Sequence, residues 1–390
     1  MDFELTAEQA ALQDAARRFA QGELPAIAAE LERTGASPDR ELKHRYAELG
    51  FLGANVSTRY GGMGLGTLEA LLVLEEFAKV SSAVAFPVFE SSVGPIRAIE
   101  AYGADSLRDR LIPAVCRGDA VVAIAMSEPD AGSALTDLLT RATVRDDGII
   151  LNGAKRWCSG GGHADGYLVY ARLTDEPGSK GIGAIYVDGN TAGVSFGAPE
   201  QLMGFRGIAS ADIYFDNVKV PLDHLVVPAG DGFRQLMQAF DLERCGNATM
   251  ALAQAAAALD DVTVHVQQRI QFGRPVVEFQ AVQLKLAEMR MRVDASRLLI
   301  HRAACNAAKG LPSLLDSSVA KCYANEIARE VTGNAIQLMG AYGYSKSAPT
   351  ERRFRDAWGW GIAGGTIDIQ KINIASAMIG RRFDQRGRRA

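Results

Sequence analysis

The run Phe240-Asp241-Leu242-Glu243-Arg244 holds the side chain best suited to chemistry. At helical spacing, Phe240, Glu243, Gly246, Asn247 and Met250 fall on one face. That face is mostly apolar or small. A carboxylate there is partly desolvated, and its pKa rises toward a range useful for a base. Gly246 leaves room for a substrate to approach. The plain alternative is that Glu243 pairs with a basic residue and only holds helices together. Trp157, followed by Ser159 and a run of glycines, reads by itself as a core aromatic. Other chemistries find no support in the spacing. Cys116, Cys158, Cys245, Cys305 and Cys322 are odd in number, dispersed and form no C-x-x-C, against a disulfide framework or a zinc site. This usage fits a reducing compartment. The five histidines lack ligand spacing, so no metal is expected. His265 and His301 sit in helix-like runs as structural residues. Tyr60-Gly61-Gly62-Met63-Gly64 is a loop without the G-x-G-x-x-G order of a dinucleotide fingerprint.

These residues need elements to position them, and the pattern changes twice along the chain. Residues 1–118 read as a helical domain. Thr6 to Gln9 is a capping box before an apolar-periodic stretch, and Leu68–Phe77 and Leu107–Val115 repeat at helical period. Residues 119–230 read as a compact β domain, a sandwich or barrel. Its short β-prone runs are Val121–Ala125, Ile149–Leu151, Tyr167–Ala171, Ile182–Val187, Ala211–Phe215 and Val218–Val220. Residues 231–390 return to helices at Asp231 to Gln268, Val282 to Lys309 and Leu314 to Met339, each long enough for a four-helix bundle. The fold class is therefore α+β multidomain: helical, β, helical, with no internal repeat.

Composition narrows the function classes. The chain has 390 residues, 48% hydrophobic and 23% charged, with a net charge of −4. That balance suits a globular protein with its own core and provides no basic field for nucleic acid or a membrane surface. The arginines Arg381, Arg382, Arg386, Arg388 and Arg389 form a short basic tail, read as solvated. The first twenty residues have no basic n-region or apolar h-region, and no apolar run is long enough to span a bilayer. A cytoplasmic location is expected.

Several segments, in shared order over about 350 residues, resemble the acyl-CoA dehydrogenases. They are Ala125-Met126-Ser127-Glu128-Pro129-Asp130-Ala131-Gly132-Ser133, Asn152-Gly153-Ala154-Lys155-Arg156-Trp157-Cys158-Ser159, Gly204-Phe205-Arg206-Gly207 and Phe215-Asp216-Asn217-Val218. In the last domain come Gln268 to Gly273, Phe279-Gln280, Gln337 to Gly340 and Gly365-Thr366. The resemblance implies FAD as cofactor and a CoA thioester as substrate. By it, Met126, Ser127, Trp157 and Ser159 meet the flavin ring, where donors stabilise the charge of the reduced flavin. Arg269, Gln271 and Phe272 reach the pyrophosphate of a neighbouring subunit's cofactor, for which a planar guanidinium is suited. Gln280, Gln337 and Gly340 approach the adenosine half, and Thr366 and Asp368 make further contacts. The family often has Gln or Glu where Asp368 stands. Ser133, Arg244 and Gly364 are implied substrate contacts; the residue after Ser133 is Ala134 where the family usually has Asp. Cofactor contacts across subunits imply a homotetramer or homodimer, and electron transfer flavoprotein is the implied oxidant.

The catalytic base is where the chain departs from most of the family. Most members carry a Glu directly before the Gly-Thr, and here that residue is Gly364. A minority, including isovaleryl-CoA and long-chain dehydrogenases, carry the base in x-Leu-Glu-Arg, which is Glu243 here. The resemblance thus implies oxidation of an acyl-CoA to the 2,3-enoyl-CoA with Glu243 removing the α-proton. Sulfinopropionyl-CoA desulfinases share the Ile362-Ala363-Gly364-Gly365-Thr366 run and the Ser127 to Ala134 run. They need no proton-abstracting Glu, and the arginine that receives their sulfinate falls at Phe86 here. A non-catalytic flavin or CoA-thioester binding protein, and an oxygen-using monooxygenase, are the further alternatives.

Overall fold

A computed structural model describes residues 3–307, 310–383 and 385. Six helices come first: α1 (Ala7–Thr34), α2 (Arg40–Glu48), α3 (Thr67–Val80), α4 (Ser82–Ser92), α5 (Ile96–Tyr102) and α6 (Asp105–Cys116). The capping box is present at α1. The Thr6 hydroxyl accepts from Gln9 N, and the Gln9 side chain answers the Thr6 backbone. Gly35, at φ 74°, ends the helix in the left-handed conformation that glycine adopts without a Cβ penalty. Phe77 of α3 sits edge-on to Tyr46 and Phe51, with Phe19 beside all three.

Eight strands follow: β1 (Val122–Ala125), β2 (Arg141–Arg145), β3 (Gly148–Ser159), β4 (Gly166–Arg172), β5 (Ile182–Asp188), β6 (Val194–Phe196), β7 (Ser210–Val220) and β8 (Leu225–Val227). They form one sheet in the order β6-β7-β3-β2-β4-β5-β8, with β1 parallel to β4. Strand alternation divides its core in two. Tyr167, Val169, Ala171, Ile185 and Val187 meet Ile213, Phe215 and Val218 of β7. The opposite side chains, Leu168, Tyr170, Ala184 and Tyr186, pack with Ile99, Leu111 and Ile112 of α5 and α6.

The chain then enters α7 (Gly232–Gln268), β9 (Ile270–Gln271), β10 (Arg274–Pro275), α8 (Gln280–Cys305), α9 (Leu314–Met339), α10 (Ala341–Tyr344), α11 (Thr350–Trp360) and α12 (Ile367–Ile379). The architecture is an N-terminal helical domain, a middle β-sheet domain and a C-terminal helical domain. Two compact units divide it, 1–246 and 247–390, with α7 running from the first into the second. In the second unit α9 is central, packed by α8, α11 and α12. Its buried side is made of small residues, Ser317, Ala320, Ala324, Ala328, Val331 and Ala335, which let helices approach closely.

Long helices agree with the sequence reading to within a few residues, and Leu314–Met339 agrees at both ends. The expected end of α8 at Lys309 lies outside the described residues; α8 closes at Cys305. Ala211–Phe215 and Val218–Val220 are one strand, β7, not two. Arg381 and Arg382 are exposed, whereas Arg386, Arg388 and Arg389 lie outside the described residues. No helix among the described residues is long and apolar enough to cross a membrane.

Candidate active site

The first unit holds one group of candidate residues around the C-terminal half of β3. Register with β7 slips between Lys155 and Cys158, and Trp157 occupies the slip at φ 60°. A bulky residue in the left-handed region is strained, and such strain persists only where its surroundings enforce it. Trp157 is not a core aromatic: it is 52% exposed, with the Arg156 guanidinium 4.4 Å from its ring centre. Arg156 N donates to the Ser127 carbonyl at 2.9 Å, tying the Met126–Ser127 segment to this strand. Met126, Ser127 and Ser159 are half-buried, and neither serine hydroxyl has a hydrogen-bond partner among the described residues. Ser133 stands exposed in the loop beyond.

A buried ion pair fixes this region, and sequence reading assigned it no role. Lys155 Nζ donates to the Glu128 carboxylate at 2.8 Å and to the Met126 carbonyl at 3.0 Å. Glu128 also accepts from Leu139 N at 2.6 Å and Thr140 N at 2.9 Å. Burial pushes the Glu128 pKa up, but the Lys155 cation and these donors outweigh it and hold the carboxyl below its ordinary range. Burial pulls the Lys155 amine down. With these four hydrogen bonds in place, we assign the ionised pair. The signal in the sequence was two opposite charges inside β-prone, glycine-rich motifs.

Glu243 lies on the part of α7 that belongs to the same unit. It is half-buried, between buried Leu242 and buried Arg244. Arg244 is only 6% exposed, is paired with Asp241, and lies with its guanidinium 5.3 Å from the Phe240 ring centre. The Asp241 carboxylate takes one arm of Arg244 and steadies the turn that carries Glu243, while Arg244 Nε has no hydrogen-bond partner among the described residues. The room expected beside Gly246 is filled by protein. A Cβ built there would lie 2.3 Å from Val93 Cγ2 and 3.0 Å from Phe89 Cε2, both on or next to α4. Gly246 therefore serves the crossing of α4 over α7, not the approach of a substrate. Gly246→Ala is expected to overpack this crossing and cost about 1–3 kcal/mol, read as a lowered urea midpoint at unchanged slope.

The second unit holds the remaining candidates. The β9–β10 hairpin turns at Phe272 and Gly273, both with positive φ, and Phe272 is 93% exposed. Gln271, Phe272 and Gln337 line one surface groove between this hairpin, α8 and α9. Gln280 is exposed at the start of α8, and Gly340 ends α9 at φ 61°. Arg269 is exposed with no carboxylate partner among the described residues. Thr366 caps α12, its hydroxyl accepting from Ile369 N at 3.3 Å, and Asp368 is exposed in the first turn.

Before α12 runs the loop that lacks the usual glutamate. Gly364 and Gly365 take φ 65° and 84°. Fully buried Lys321 gathers this loop, its Nζ donating to the carbonyls of Ala363, Gly364 at 2.6 Å and Gly365 at 2.7 Å. Asn247 Nδ2 donates to the Trp360 and Ala363 carbonyls, and Asn325 Nδ2 to Asn247 Oδ1. A buried cation on three carbonyls is a strong constraint, since each would otherwise be left unsatisfied. Neither Lys321 nor Asn325 was singled out from the sequence, and Asn247 was named only as a member of the Glu243 face.

The residues present fit a flavin dinucleotide on the chemistry of their donors. Two half-buried serine hydroxyls without partners and an exposed, strained indole suit a polar aromatic ring. An unpaired exposed arginine suits a phosphate. Family models agree in all three parts of the chain. The N-terminal domain of acyl-CoA dehydrogenase matches residues 6–119, the middle domain 123–218 and the C-terminal domain 230–379. A 3-sulfinopropanoyl-CoA desulfinase of Paraburkholderia xenovorans is 37% identical, over 98% of this chain and 99% of its own. The structure of butyryl-CoA dehydrogenase from Megasphaera elsdenii is 34% identical, with a TM-score of 0.93 over 97% of this chain and 100% of that one. A solved structure described as the electron transferring flavoprotein of Acidaminococcus fermentans has a chain 33% identical, also with a TM-score of 0.93, over 97% and 100%. With every domain matched in order and relatives aligned end to end, the chain belongs to the acyl-CoA dehydrogenase family.

Proposed function

We propose that this protein is an FAD-dependent acyl-CoA dehydrogenase that converts an acyl-CoA to the 2,3-enoyl-CoA, with Glu243 as its base. One observation carries the reading: a carboxylate stands half-buried at Glu243 in α7 while Gly364 offers none. FAD, when bound, supplies the acceptor for the hydride that leaves the β-carbon. Glu243 removes the α-proton, so one proton and one hydride leave the substrate together. Arg244, held by Asp241, fixes the turn that aims Glu243. Ser127 and Ser159 donate to the flavin ring, and Trp157 covers one of its faces and excludes water. Met126 supplies backbone to the same edge, in a segment pinned by Lys155. Ser133 and Gly364 line the path of the thioester.

Arg269, Gln271 and Phe272 hold the diphosphate of a second copy's cofactor, with Gln280, Gln337 and Gly340 beside its adenosine half. Thr366 and Asp368 contact the cofactor further on. An exposed phenylalanine at a strained turn supports this assignment, because a partner chain would cover it. The protein is then a homotetramer or homodimer in the cytoplasm and hands its electrons to an electron transfer flavoprotein. The division into domains at 1–118, 119–230 and 231–390 belongs to the same reading.

The desulfinase relative keeps a second reading in view. Phe86 answers it: the side chain is buried, stacked on Phe89 at 6.3 Å between ring centres, and gives a sulfinate no cation. The deciding experiment incubates the purified protein with acyl-CoAs or 3-sulfinopropanoyl-CoA and identifies the product by mass. Enoyl-CoA formation supports dehydrogenation. Sulfite release without any enoyl-CoA from saturated thioesters overturns it.

A further inference from the structure

In β3, Lys155 and Cys158 are both buried, while Arg156 and Trp157 between them are half-buried and exposed. The register explains this break in alternation. Lys155 pairs with Ile213 and Cys158 with Ala211, so Arg156 and Trp157 together stand opposite one residue of β7, Asp212. Two residues against one is a β-bulge, a device that re-aims side chains. Neighbours in a regular strand point to opposite faces. Here the left-handed backbone of Trp157 sets its ring beside the preceding guanidinium, 4.4 Å from the ring centre.

The guanidinium is itself anchored. Its Nη2 donates to Glu200 Oε1 at 3.1 Å, and its Nη1 lies 3.5 Å from Asp212 Oδ2. Glu200 is tied in turn to the start of β7, its N donating to the Ser210 carbonyl at 2.8 Å. With a carboxylate on each terminal nitrogen, the Arg156 charge is already answered by protein and is not held ready for a phosphate.

We propose that Arg156 is a positioning residue: its anchored guanidinium covers one face of Trp157 and holds the indole so that the other face is ready for the flavin ring. The inference rests on the assignment of Trp157 to the flavin and deepens it. Strain at a positive φ persists only where the surroundings enforce it. Here the bulge, the Arg156 N bond to the Ser127 carbonyl and the cation over the ring enforce it together. An exposed indole that is free to turn must be ordered when its ligand binds, and that ordering weakens affinity. An indole already clamped by Arg156 is ordered beforehand. The clamp is a side-chain matter, because the Arg156 backbone bond to Ser127 survives any substitution of the side chain except proline.

The experiment measures the FAD dissociation constant of the full-length protein by equilibrium dialysis, together with the visible circular dichroism of the bound flavin. It compares wild type, Arg156→Met, Trp157→Ala and the double variant. Arg156→Met is expected to weaken FAD binding by about two- to tenfold, the cost of ordering one side chain on binding, and to alter the dichroism. In the Trp157→Ala background the same substitution is expected to change neither. Non-additivity of this kind is the mark of a residue that acts through its neighbour. Equal weakening in both backgrounds means that Arg156 only supports the sheet. Wild-type affinity and dichroism in Arg156→Met mean that the ring needs no clamp. Either result overturns the proposal. Should Arg156→Met fail to fold, Glu200→Gln, which releases one arm of the guanidinium, takes its place in the same cycle and is judged by the same outcomes. Wild-type FAD affinity and dichroism in Trp157→Ala would instead remove the assignment of Trp157 to the flavin, whatever Arg156 does.

Discussion

Replacing Glu243 by Gln will leave a yellow, folded protein that binds acyl-CoA but reduces its flavin about 10²- to 10⁴-fold more slowly, the usual contribution of a positioned base. The amide matches the carboxylate in shape, so packing around buried Leu242, Arg244 and Cys245 is kept. What is lost is a site for the α-proton. Gly364, with no side chain, offers no substitute. Stopped-flow bleaching gives the rate, and bound flavin with acyl-CoA affinity gives the control. Unchanged affinity with a collapsed rate is the signature of an interaction made in the transition state alone. A variant with wild-type bleaching would mean that Glu243 is structural.

The second large effect concerns stability. Lys155→Met is expected to cost about 3–5 kcal/mol, because it strands the buried Glu128 carboxylate. The double variant Lys155→Met/Glu128→Gln should recover most of that loss, since the unpaired charge is then gone. Urea unfolding of the four proteins in the cycle measures both. The pair is also acid-sensitive in a defined direction. With its pKa depressed in the fold, Glu128 contributes stability that is present above the ordinary carboxylate range and lost as pH falls through the folded value. The wild type should therefore lose its advantage over the double variant in acid. Flavin content should fall in the single variant, because Lys155 also holds the Met126 carbonyl. A cost below about 1 kcal/mol, the level of an exposed pair, would contradict this assignment.

The parts of the fold with one wet face were the parts the sequence declared. α1 shows its cap and its periodic Ala16, Phe19 and Leu24; β4 and β5 are short runs between glycines and aspartates. α4 was silent because every one of its residues is buried, so no polar face sets a period, and Pro87 interrupts it. The site divides in the same way. Motif order marked Trp157, Arg269 and Thr366 as candidates, but gave no sign of the strain at Trp157, which needs the slipped register of β3 on β7. Glu128, Lys155 and Lys321 read as ordinary charges until burial showed what they hold. Gly246 misled for a related reason: a glycine on a helix face marks a close approach, and only the packing says whether helix or substrate makes it.

The account stands on oxidation of a saturated thioester, and anaerobic titration of the purified flavoprotein with straight and branched acyl-CoAs tests that most directly. Bleaching of the visible flavin band by at least one saturated acyl-CoA, with enoyl-CoA formed in equal amount and the effect lost in Glu243→Gln, is the predicted result. No bleaching by any saturated thioester, while 3-sulfinopropanoyl-CoA is consumed, would contradict it.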